Sequence, residues 1–127
     1  MPELRITLPF PSRTLSPNGR SHWRTKAKAV KAYRKRAADE AMVAAYENRA
    51  ARRSMPWSKA TISVTCYHKT ARHMDEDNIV ASLKPAFDGL VSAGILTDDR
   101  DVTVLPPVRL TDRENPRVEL VIRKGAE

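Results

Sequence analysis

Residues 60–94, ATISVTCYHKTARHMDEDNIVASLKPAFDGLVSAG, decide the fold, because the apolar spacing changes once within them. Ile62, Val64 and Cys66 alternate with Ser63, Thr65 and Tyr67, the period of a strand with one buried face. Further on, Val80, Leu83, Phe87, Leu90 and Val91 recur at three- and four-residue spacings, which predicts a helix between Asn78 and Ala93 with Gly94 as its C-terminal stop. Pro85 is comfortable only in a first turn, so regular helix is expected from about Ser82, after a looser turn following Asp77.

The same pattern extends outward in both directions. Upstream, LRITLPF alternates Leu4, Ile6, Leu8 and Phe10 against Arg5 and Thr7, a strand that Pro9 and Pro11 end. Residues 12–22 hold Pro17, Asn18 and Gly19 and read as an exposed basic loop. A long helix follows from about Arg24 to Arg49, with Val30, Tyr33, Ala37, Ala41, Ala44 and Ala45 on its apolar side and Lys28, Lys31, Lys35 and Arg36 outside. Downstream, VTVLP and RVELVI flank VRLTDRENP, whose turn residues predict a terminal hairpin. The order β-α-β-α-β-β gives an α+β fold, a small mixed sheet packed with two helices, as a single domain over 1–127.

A chain of 127 residues with 41% hydrophobic and 30% charged side chains is neither disordered nor rich enough in apolar runs to span a membrane. Cys66 is the sole cysteine, so no intrachain disulfide forms, and the acid and prolines of MPELRITLPFPSRTL do not suit a secretory signal; a cytoplasmic protein is expected. The net charge of +8 is unevenly spread. Between Leu4 and Ala38 there are ten basic residues and no acid, which points to a polyanion, nucleic acid above all. Arg20, Arg24, Lys28, Lys31 and Lys35 are the candidate DNA-binding residues of that segment.

Against this, seven of the fifteen acids fall within residues 73–102: Asp75, Glu76, Asp77, Asp88, Asp98, Asp99 and Asp101. Crowded carboxylates repel unless a cation lies between them. Asp75 and Asp77 are two residues apart and share one side of an extended segment, while positions 77, 84 and 88 share one face of a helix. Two or three aspartates without His or Cys support suit Mg²⁺, or Mn²⁺, rather than zinc. Such an ion activates water and neutralises charge on a phosphate, and Lys84 beside it would stabilise the transition state. The plain alternatives are a helix cap at Asp75 or Asp77, a turn at Asp98 and Asp99, and a surface pair between Lys84 and Asp88.

These residues resemble those of the RusA-type Holliday junction resolvases, small dimeric endonucleases of phages and prophages. The resemblance runs over most of the chain: ITLPFPS, NGRSHW (residues 18–23), DEDN, LKPAFDGLVSAGIL and a following DD before a strand. It implies that Asp75, Asp77 and Asp99 bind Mg²⁺ as catalytic carboxylates, with Lys84 the catalytic lysine. The family's lysine often follows the second aspartate by four residues, whereas Lys84 follows Asp77 by seven; both spacings return to one helical face. The activity implied is a Mg²⁺-dependent endodeoxyribonuclease that resolves four-way junctions and other branched DNA by paired nicks, as a homodimer, in recombination and repair. The alternatives are a non-catalytic basic DNA-binding protein and an RNA-directed ribonuclease.

Overall fold

The computed structural model describes residues 2–16, 22–70, 76–98 and 100–125, with residues 76–78 described by their backbone. Five strands, β1 (Glu3–Leu8), β2 (Ala60–His68), β3 (Val102–Val104), β4 (Val108–Thr111) and β5 (Arg117–Lys124), form one mixed sheet. Among the described residues four α-helices, α1 (Trp23–Glu47), α2 (Arg49–Arg52), α3 (Glu76–Ser82) and α4 (Lys84–Ser92), and a short 3-10 turn at Arg13–Leu15 accompany it. The α+β expectation therefore holds. Among the described residues no helix is long and apolar enough to cross a membrane.

The alternation read from the sequence becomes the core. β5 runs antiparallel between β1 and β2, and Leu120 stands in register with Ile6 on one side and Val64 on the other. That row, with Leu4, Leu8, Ile62, Cys66, Val118 and Ile122, is buried on one face of the sheet. The opposite face carries Arg5, Thr7, Thr65, Glu119 and Arg123, none of them buried, so a single face does the packing.

Helix α1 lays Tyr33, Ala37, Ala41 and Ala45 on that face. An alanine stripe brings two backbones close, and α4 meets it with Gly89, where an added Cβ would stand 2.5 Å from the Arg34 carbonyl oxygen. Two hydrogen bonds tie α1 to both ends of β1. The Tyr33 hydroxyl donates to the Pro9 carbonyl at 2.8 Å, and Asn48 Nδ2 donates to the Glu3 carbonyl at 2.9 Å. Their order shows that α1 runs antiparallel to β1.

Two sequence expectations are corrected. The terminal hairpin does not form: β3 and β4 both pair parallel to β2, through Ala60↔Val102 and Thr65↔Val108, and β5 pairs with β2 and β1 instead. The segment from α4 onward is thus a crossover return to the edge of β2, interrupted at Pro106 and Pro107, which cannot donate to a ladder. Second, helix begins at Glu76 rather than near Ser82, and the proline's effect falls between α3 and α4. Leu83 there keeps a right-handed helical conformation at φ −87° and ψ −6°, and its carbonyl accepts from Phe87 N at 3.2 Å. Pro85 sits in the first turn of α4, where no N–H is needed. Gly94 closes α4 at φ 79°, the left-handed stop expected of it.

Candidate nucleic-acid interface and acidic segment

Strand direction fixes where the charged segments begin. β1 and β2 each run antiparallel to β5, hence parallel to one another, and finish at the same end of the sheet. β1 ends at Leu8 and β2 at His68, while α1 starts above that end, because Tyr33 in its first half reaches Pro9. Beyond His68 the chain leads through the acidic residues into α3. The basic start of α1 and the entrance to the acidic segment therefore lie toward one end of the molecule.

The first turns of α1 are built to stand out. His22 caps them, its Nδ1 accepting from Arg24 N at 3.1 Å, and residues 22–28 are all exposed. Arg24, Lys28, Lys31 and Lys35 recur at helical spacing on one solvent face, as expected. Lys35 differs from the others in holding Asp39 at 2.6 Å, one turn along. No acid occupies the first turn. Cations there oppose the helix dipole, so this charge does not serve the helix itself. Arg20, the fifth expected DNA-binding residue, lies outside the described residues.

Of the acidic set, Asp75 and Asp99 lie outside the described residues, as does the side chain of Asp77. The backbone of Asp77 is in the first turn of α3, so the two-residue alternation expected of an extended 75–77 segment does not apply at its last position. Lys84 opens α4, exposed, and its Nζ lies 3.4 Å from Oδ1 of the half-buried Asp88. Asp98 forms a turn: it accepts from Arg100 N at 2.8 Å, Nε at 3.2 Å and Nη2 at 3.0 Å. Those side-chain and backbone bonds hold its carboxyl below the usual range. After Gly94 the chain turns back along β2, where Trp57 N donates to Ile95 O at 2.8 Å and Leu96 bridges Trp57 in parallel.

Among the described residues no group of three or more His, Cys, Asp or Glu is gathered to hold a metal. The set drawn from the sequence, Asp75, Asp77 and Asp99, is entirely carboxylate, a donor chemistry that fits a hard divalent cation.

One residue escaped the sequence reading. Arg109 on β4 is in register with Cys66, and both of its terminal nitrogens are buried with no hydrogen-bond partner among the described residues. Burial first, and the Arg109 charge second, push the His68 pKa down, so His68 is neutral at pH 7. The Phe10 ring lies 4.9 Å from the His68 ring. A charge inside VRLT was the only sign of it.

No protein-family model matches the chain. An uncharacterized protein of Xylella fastidiosa (strain Temecula1) is 36% identical over 106 residues, covering 77% of this chain and 62% of its own length. The chain thus spans about three fifths of the relative it matches.

Proposed function

We propose that this protein is a Mg²⁺-dependent, structure-specific endodeoxyribonuclease that resolves four-way junctions and other branched DNA by paired nicks, acting as a homodimer. The observation that carries the reading is the placement of a strongly basic helix start and the entrance to the acidic segment at one end of a small sheet. Polyanion binding and carboxylate chemistry are otherwise a poor match, because acids repel phosphates. A cation held between them resolves the conflict.

In this mechanism Arg24, Lys28 and Lys31 take phosphates and orient the duplex arms. Asp75, Asp77 and Asp99 would hold Mg²⁺, which when bound supplies an activated water and neutralises charge on the scissile phosphate. Lys84 leaves its loose pair with Asp88 to donate to an oxygen of that phosphate, where negative charge develops. A four-way junction has two symmetry-related strands, and a twofold dimer presents one site to each.

The test is cleavage of a synthetic four-way junction beside a linear duplex of the same arm sequence, with Mg²⁺ and with EDTA. Paired nicks are expected in the junction with Mg²⁺ alone, and the duplex should stay intact. Junction binding without cleavage under any divalent cation would leave a basic DNA-binding protein instead.

A further inference from the structure

We infer that Trp23 is a stacking platform for an unstacked base, and that through it the protein distinguishes branched or single-stranded DNA from paired duplex. The inference rests on the proposed nucleic-acid reading and names what that interface selects.

Trp23 is the first residue of α1 and 68% exposed, a costly position for a large aromatic side chain. Its place on the helix explains where it is aimed. Trp23 and Ala41 are eighteen residues apart, about five turns, so they share one line along α1. Ala41 is fully buried on the side facing the sheet. Trp23 therefore lies on the core-facing line of α1, but beyond the core, overhanging the end where β1 and β2 finish. Residues 22–28 are all exposed, so nothing in this stretch is packed into the body.

Its surroundings select the partner. The Arg24 guanidinium carbon lies over the ring, 5.2 Å from its centroid, and the His22 ring stacks at 5.6 Å, yet the side chain keeps most of its surface in solvent. Lys26 and Lys28 follow within the next turn, both exposed. An apolar ring framed by cations suits a partner that offers a flat π-face and negative charge together, which a nucleotide does. In linear duplex the base faces are stacked on each other and closed to it. At a branch point or in a single strand they are open. Selectivity for branched DNA then requires no base sequence to be read.

The chain also supplies its own probe. It has two tryptophans, and Trp57 is 0% exposed, with Nε1 donating to Ser54 Oγ at 2.9 Å. A change in tryptophan emission on adding ligand therefore reports Trp23. The protein is titrated in EDTA with a four-way junction, a matched linear duplex and polyglutamate, for the wild type, Trp23→Phe and Trp23→Ala. The expected result is quenching by the junction and little by duplex. Trp23→Ala should lose roughly tenfold or more in junction affinity, Trp23→Phe should keep most of it, and duplex affinity should not change. Junction binding with unchanged emission, or wild-type junction affinity in Trp23→Ala, overturns the role of Trp23 and leaves the nuclease reading standing. Absence of DNA binding by the wild type, or quenching by polyglutamate instead, overturns both.

Discussion

Gly89 controls how closely α4 approaches α1, since a Cβ there would collide with the backbone oxygen of Arg34 rather than with a movable side chain. Gly89→Ala should therefore destabilise the fold by about 1–3 kcal/mol, despite alanine's better helix propensity, read as a lower urea midpoint. His68 offers a second test at this scale. Its folded pKa lies below the ordinary value of 6.5, so the unfolded chain binds the proton more readily. The stability this neutral histidine contributes is complete above pH 6.5 and is lost as the pH falls through its folded pKa. The urea midpoint should drop as the pH falls below 6.5, and His68→Phe should flatten that drop; an unchanged profile would mean that His68 does not titrate differently on folding. Most core residues were legible singly, because Leu4, Ile6, Leu8, Ile62, Val64 and Cys66 alternate with polar neighbours. Arg109 was not. Whether a charged residue on a short strand is buried depends on its register partner, here Cys66, which is remote in sequence.

At the level of elements, α1 carries its charge against its own dipole, which separates function from stability. Replacing Arg24, Lys28 and Lys31 together by alanine should leave the melting temperature unchanged or slightly raised. DNA affinity should fall, and the slope of log K against log salt should become shallower by about 0.9 for each phosphate that is no longer neutralised. Wild-type affinity and slope in that variant would make the basic face a solubility feature. Most helices and strands followed from local period, and Gly94 and Pro85 mark α4 much as their chemistry demands, but VRLT, read as part of a turn, forms strand β4. Strand partnership did not follow. RVELVI pairs with both β1 and β2 from the middle of the sheet, and VTV and VRLT share the edge of β2, arrangements set by the crossover through α3 and α4 rather than by the turn residues between them. The proposed carboxylate site rests on composition and spacing alone, and how Asp75, Asp77 and Asp99 stand to one another depends on the path into α3 and out of α4, which no local pattern encodes.

Over the whole molecule, the fold sets the basic start of α1 and the end of β2, from which the chain leads on toward the acidic segment, at one end of the sheet. The long helix runs antiparallel to β1, so its basic start stands at the end where β1 finishes and from which β2 leads on toward the acidic segment. On the proposed reading the substrate has two equivalent strands and calls for two such ends, so the protein should sediment as a dimer, free or junction-bound; a monomer in both states at micromolar concentration would limit it to single nicks. The most direct measurement is the single-turnover cleavage rate of a four-way junction in Mg²⁺ by wild type and by Asp77→Asn, with binding measured in parallel. Asparagine keeps the size and removes a formal charge, so junction binding should be kept or tightened while cleavage falls by about 10²-fold or more. Cleavage at the wild-type rate by a folded Asp77→Asn variant would contradict the account.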